Sequence, residues 1–234
     1  MSSFQFKQFS VAHDKSSMKV GTDAVLLGCL IKMEQTRNIL EVGCGCGVIS
    51  LIAAQKSKAL IRGVDIDQNS VIQANDNYKK SKWKDCLIAE NKSLQALAQQ
   101  SNQKYDLIIS NPPFFENDLK SPSEIRNKAR HNDSLSFQDL LSSSRQLLQA
   151  EGRLALVLPF NEGEAFIQLA SSQNFYLARK ILIYPKANKK ANRLILEFRL
   201  QECPLLTEKL IIREDNNEYT PQYRHVTKDF YLAF

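Results

Sequence analysis

The chain has 234 residues, 43% of them hydrophobic and 24% charged, which supports one α/β domain with additions and excludes a disordered chain. Its formal net charge is +6 and its pI is near 9.0, a balance compatible with a polyanionic partner. No apolar run is long enough to span a membrane, and the start of the chain carries no signal-peptide pattern. The five cysteines are odd in number and lack metal-binding spacing, so a cytoplasmic chain with reduced thiols and no metal is expected.

Residues 4–11 alternate apolar and polar, which predicts an edge strand or a lid segment ahead of the main domain. A polar turn at His13 and Asp14 leads to an apolar helix over 24–31. Gly21 or Thr22 is its expected N-cap and Asp23 lies in its first turn; for Thr22 and Asp23, capping and ligand contact are equally good readings. The first central strand is expected over 38–42, and Gly43-Cys44-Gly45-Cys46-Gly47 separates it from a helix beginning at Val48. Alternate glycines between a strand and a helix let the backbone approach a ligand near a helix N-terminus. The spacing, with Glu41 two residues ahead, is not that of dinucleotide enzymes.

A second strand is expected over 60–66. Asp65, about 20 residues past the glycines, is the first choice to accept hydrogen bonds from both hydroxyls of a ribose, while Asp67 suits the cap of a helix over 70–80. A third strand is expected over 85–89, followed by Glu90 and Asn91, of which Asn91 is the preferred polar contact to a ligand. Next come a short helix over 93–101, a buried strand over 105–110, a polar connection over 115–132 and an amphipathic helix over 135–148. A fifth strand over 152–159 and a helix over 162–173 follow. The segments 176–184 and 193–200 read as an antiparallel closing pair joined by a basic turn, 185–192, that contains no acid. That turn is either a solvated tip or a phosphate contact. Residues 210–213 suit one more strand, and an aromatic tail with Tyr219, Tyr223, Phe230 and Tyr231 is expected to pack back on the domain.

The most informative stretch is Ser110-Asn111-Pro112-Pro113-Phe114. Two prolines hold Asn111 in a stiff, non-helical turn at the carboxyl end of a strand, where open α/β sheets bind their ligands. The Asn111 side-chain oxygen and the Pro112 carbonyl together suit the two hydrogens of a planar amine, and Phe114 offers a flat face for stacking. Such a site alkylates a weakly nucleophilic nitrogen by positioning and oriented dipoles, without a strong base. His131 accordingly reads as a substrate-binding or structural residue and not as a catalytic base.

Taken together, these markers resemble the Rossmann-like S-adenosylmethionine-dependent methyltransferases of exocyclic amines. More closely, the chain resembles the bacterial tRNA(Val) (adenine-37-N6)-methyltransferase family. The resemblance runs almost end to end: Phe6-Lys7-Gln8-Phe9 with His13-Asp14, the run from Met18 to Gly28, Glu41 to Gly47, Ser110 to Phe115, Ala129-Arg130-His131, Tyr219-Thr220, and Asp229-Phe230-Tyr231-Leu232. It implies a mostly parallel seven-stranded sheet with an antiparallel closing strand and helices on both faces. It implies one domain over 1–234, with a strand-and-helix extension over 1–35, a core over 36–201 and a C-terminal extension over 202–234. It further implies a monomer that binds S-adenosyl-L-methionine and tRNA. Thr22, Asp23, Glu41, Gly43, Gly45, Gly47, Asp65 and Asn91 would belong to the cofactor site, and Asn111, Pro112, Pro113 and Phe114 would hold a flipped adenine. Arg126, Lys128, Arg130, Lys189 and Lys190 are the basic residues expected to hold RNA. A protein glutamine amide or a guanine in ribosomal RNA are the rival substrates, and a non-catalytic RNA-binding protein is the rival from another class. The basic charge and the tail favour RNA.

Overall fold

The computed structural model describes residues 3–16, 18–112 and 135–234. Runs rich in apolar residues become the strands of an eight-stranded sheet. These are β3 (Asn38–Val42), β4 (Leu60–Asp65), β5 (Leu87–Asn91), β6 (Tyr105–Ser110), β7 (Leu148–Pro159), β8 (Tyr176–Lys186), β9 (Arg193–Arg199) and β10 (Leu206–Arg213). Their order is β10-β8-β9-β7-β6-β3-β4-β5. All neighbouring pairs are parallel except the two that β9 makes with β7 and β8.

The centre of the sheet is covered on both faces, which is why β3 and β6 are buried at nearly every position. Period-two alternation divides each strand between two cores. Ile39, Leu107, Ile109 and Val157 face helices α1 (Thr22–Leu30), α2 (Val48–Lys56) and α3 (Gln68–Lys79). Leu40, Val42, Ile108 and Leu156 face α4 (Leu94–Gln100), α5 (Phe137–Leu147) and α6 (Phe160–Ser172). A nearly buried carboxylate, Glu197, joins strands across the sheet: it accepts from Arg153 at 2.6 Å and Arg179 at 2.9 Å.

Several expectations are corrected. The sheet has eight strands, not seven, because β10 starts at Leu206 and adds in parallel to the edge of β8. The strand expected over 85–89 begins later: Lys84–Cys86 form a 3-10 turn, and Glu90 and Asn91 are the last residues of β5. The alternating N-terminal run is not one strand. It folds as a hairpin of β1 (Ser3–Gln5) and β2 (Ser10–Ala12), closed where the Phe6 amide donates to the Phe9 carbonyl at 2.9 Å. The tail packs back as expected. It carries α7 (Pro221–Thr227), Phe230 is buried, and Tyr231 bridges to Phe6 with their rings stacked 5.9 Å apart.

From β3 the chain winds outward through β4 and β5, then crosses back to β6 on the other side of β3. The boundary between β3 and β6 is therefore the topological switch point of the sheet. The loops that leave β3 and β6 open there on the same carboxyl edge.

Candidate active site

A cavity of about 540 Å³ occupies the switch point, within the size range of pockets that take a nucleoside-sized ligand. The loop after β3 forms one wall. Its Gly43 and Cys44 amides donate to the Val64 carbonyl at 2.9 and 3.1 Å, which folds the loop over the end of β4. All three glycines have positive φ, at 70°, 51° and 80°. A Cβ added at Gly43 would meet nothing within 4 Å, so this stretch of backbone faces open space on the cavity side.

Asp65, at the end of β4, accepts from the Gly45 amide at 2.8 Å and from the Asp67 amide at 2.9 Å, one through each oxygen. These bonds fix the plane of its carboxylate against the cavity and leave each oxygen a further lone pair. Burial raises its pKa, and the two amides counteract that rise. Asp67 caps α3, accepting from the Asn69 and Ser70 amides and from the Ser70 hydroxyl. The Ser70 bond holds its pKa below the ordinary value. Glu41 is buried beneath the loop and accepts from both the amide and the hydroxyl of Ser50. Burial pushes its carboxyl up to about 8.

On the opposite wall, the Ser110 hydroxyl donates to the Val42 carbonyl at 2.9 Å, tying the end of β6 to the end of β3. The next residue, Asn111, lines the cavity with the buried Pro112. The Asn111 Oδ1 is enclosed, and no donor among the described residues reaches it. A buried carbonyl oxygen without a donor costs on the order of 1–3 kcal/mol, which makes this oxygen a candidate acceptor for a ligand's donor.

The family model described as "Methyltransferase small domain" matches residues 12–168. A protein of Parabacteroides distasonis named tRNA1(Val) (adenine(37)-N6)-methyltransferase is 42% identical over 232 residues, covering 98% of this chain and 97% of its own. One of the same name from Trichodesmium erythraeum is 39% identical over 234 residues, at 99% and 98% coverage. This chain belongs to the tRNA1(Val) (adenine(37)-N6)-methyltransferase family. Among solved structures, a predicted O-methyltransferase of Agrobacterium tumefaciens superposes with a TM-score of 0.71 at 18% identity, over 89% of this chain and 96% of that one. A glycopeptide N-methyltransferase complexed with S-adenosyl-L-methionine superposes with a TM-score of 0.58 at 8% identity, over 78% and 100%. These two likenesses show the fold.

Of the residues that membership in the family implies, Glu41, Gly43, Gly45, Asp65, Asn111 and Pro112 line the cavity together. Four others are placed elsewhere. Thr22 and Asp23 open α1 behind Ala24, the N-cap is Gly21 without a side-chain bond, and Asp23 accepts from Arg193 at 2.8 Å. Gly47 packs on Tyr78. Asn91 turns its amide onto the carbonyls of Asp65 and Ile66, at 3.0 and 2.9 Å, and so braces the strand end behind the carboxylate. Glu90 pairs with Arg62 at 2.7 Å. Pro113, Phe114, Arg126, Lys128, Arg130 and His131 lie outside the described residues.

Sequence reasoning missed two parts of the wall. One is Lys92 to Gln95, just past β5, where Ser93 caps α4. The other is Met18 and Lys19, on the strap between β2 and α1. Asn77 of α3 anchors the end of β2, where that strap begins: it accepts from the Ala12 amide at 3.0 Å and donates to the carbonyls of Ala12 and Cys46 at 2.8 and 2.9 Å. One buried amide thus ties the strap to the glycine loop. A lone Asn in a helix gives no sequence signal of such a role.

Proposed function

We infer that this chain transfers a methyl group from S-adenosyl-L-methionine to the exocyclic N6 amine of an adenine in tRNA. The relatives' names specify adenine 37 of tRNA1(Val), and this chain aligns with them over nearly its whole length. The observation that carries the chemistry is Asn111, at the carboxyl end of β6 in the wall of the cavity bounded by the glycine loop, whose enclosed Oδ1 has no donor among the described residues.

The residues present fit the cofactor. Gly43 leaves room for close approach of a ligand to the backbone, and Asp65, held by the Gly45 and Asp67 amides, keeps lone pairs free to accept from a ribose. When bound, S-adenosyl-L-methionine supplies an electrophilic methyl on a sulfonium. Asn111 Oδ1 and the Pro112 carbonyl accept the two hydrogens of the target amine. That pairing favours a pyramidal nitrogen and directs its lone pair into the cavity. A base in a single-stranded loop costs less to extrude than a paired one, so little binding energy is lost in presenting it. As the nitrogen–carbon bond forms and the carbon–sulfur bond breaks, the surplus amine proton passes to water, and no side chain of high basicity is required. Phe114 supplies the stacking face for the adenine. tRNA is the macromolecular partner on this reading, and the chain acts as a cytoplasmic monomer.

Asn111→Ala tests this. With tRNA lacking the modification and labelled cofactor, the wild type should place the label in N6-methyladenosine. The variant should lose turnover by at least a hundredfold, on the scale of losing one preorganised polar group, while its affinity for the cofactor is unchanged. Near-normal turnover of the variant would refute the role of Asn111. Label in another nucleoside, or in protein alone, would refute the substrate.

A further inference from the structure

Strands β6 and β7 are parallel, β9 runs against β7, and β8 runs against β9. The β8–β9 turn therefore emerges on the same edge of the sheet as Asn111. The registers agree: Pro159, at the end of β7, pairs with Arg193, which also pairs with Ile183 near the end of β8. Three strand spacings separate β6 from β8, roughly 14 Å.

This turn carries Lys189 and Lys190, both exposed, and neither side chain has an ion pair or hydrogen bond among the described residues. The turn is also well held. The Lys189 amide donates to the Lys186 carbonyl at 3.1 Å, and the Phe160 amide donates to the Asn192 carbonyl at 3.1 Å. Between the turn and the start of α6 runs a groove with half-buried Phe160 and Tyr184 in its wall. Its one acid, Glu162, sits in the first turn of α6, where the helix dipole favours a negative charge. Two half-buried aromatic side chains beside two ammonium groups with no partner among the described residues are complementary to single-stranded nucleic acid, whose bases stack and whose phosphates carry the charge.

We propose that the β8–β9 turn and the start of α6 form a second RNA contact, which holds the single-stranded nucleotides flanking the target base. Lys189 and Lys190 neutralise backbone phosphates there, and a base lies against Phe160 and Tyr184. The proposal rests on the reading of RNA as the substrate.

The test is a salt titration of binding between the full-length protein and unmodified tRNA, comparing wild type with Lys189→Gln/Lys190→Gln. Each phosphate contact to a single strand contributes about 0.7 to the slope of log affinity against log salt. Losing two should reduce the slope by about 1.4 and weaken binding about tenfold near 0.15 M salt. Cofactor affinity should not change. Phe160→Leu should weaken binding at least fivefold with the slope intact. Lys79→Gln/Lys80→Gln, at the far end of α3, makes the same change in net charge and should have little effect. An equal loss in that control would overturn the proposal by showing a response to net charge alone. So would unchanged affinity in the turn variant while the wild type still methylates the tRNA, and this result would leave the assigned reaction standing. A wild type that methylates no RNA would remove the assigned reaction, and the proposal with it.

Discussion

Gly47→Ala should destabilise the fold far more than a surface methyl would, and the structure gives the size. Gly47 is the N-cap of α2 at φ 80° and ψ 20°, a left-handed conformation that costs a residue with a Cβ about 1–2 kcal/mol. The added Cβ would also lie 2.5 Å from Cε1 of Tyr78 and 2.8 Å from both its Cζ and its hydroxyl oxygen. The ring is 2% exposed, so it can yield only by displacing packed neighbours. Overpacking of this kind costs about 1–3 kcal/mol, so the total is about 2–5 kcal/mol. That is a large share of the roughly 5–15 kcal/mol that holds a typical domain together, and it corresponds to a Tm lower by roughly 4–20 °C. Urea unfolding followed by circular dichroism measures it. A cycle with Tyr78→Leu separates the two parts, because removing the ring relieves the clash and leaves the backbone strain. The two substitutions should therefore couple by at least about 1 kcal/mol. A loss below 1 kcal/mol for Gly47→Ala, or no coupling with Tyr78→Leu, would refute the reasoning.

Asn77→Ala leaves the Ala12 amide and two carbonyls without their partner and should cost about 1–3 kcal/mol. It should also weaken cofactor binding by calorimetry, and unchanged binding would show that the strap is held without it. Glu41 gives a pH signature. Its folded pKa is raised by burial from an ordinary 4.5 to about 8, so between those values the unfolded chain has released a proton that the folded chain keeps. The stability from this group is complete below pH 4.5 and declines as the pH rises to about 8, by up to about 1.4 kcal/mol per unit. Glu41→Gln retains an acceptor for Ser50 and should abolish that slope; identical profiles for the two proteins would count against a protonated Glu41.

The central strands were legible because a parallel sheet buried on both faces demands unbroken apolar runs, and glycine or proline closes those at 38–42, 105–110 and 152–159. The errors lie where the determining interaction is distant or the turn lacks punctuation. Lys7 and Gln8 turn the N-terminal hairpin without Gly or Pro, so alternation ran through it. The pairing of β10 with β8 depends on residues about 27 positions apart, as between Leu206 and Arg179. In the site, residue type was readable but side-chain direction was not. The Asn91 Nδ2, at the end of β5, donates to the carbonyls of Asp65 and Ile66, partners that its place along the chain does not announce.

The glycine loop shows why the motif alone was ambiguous. Its spacing suggests three residues serving one ligand, but the structure divides them. Gly43 opens toward the cavity, the Gly45 amide orients Asp65, and Gly47 makes room for Tyr78 below. Gly63 of β4 completes that lower layer, since a Cβ there would fall 2.8 Å from the Cβ of Cys44. Cys44 and Cys46 are thus buried filler between the loop and α3, and burial raises both thiols above their ordinary pKa. The upper surface of the loop is free to meet a ligand because its underside is packed solid. Small side chains in the loop and an aromatic ring beneath it are therefore one structural requirement, and substitution below should reach the cofactor site through the position of the backbone.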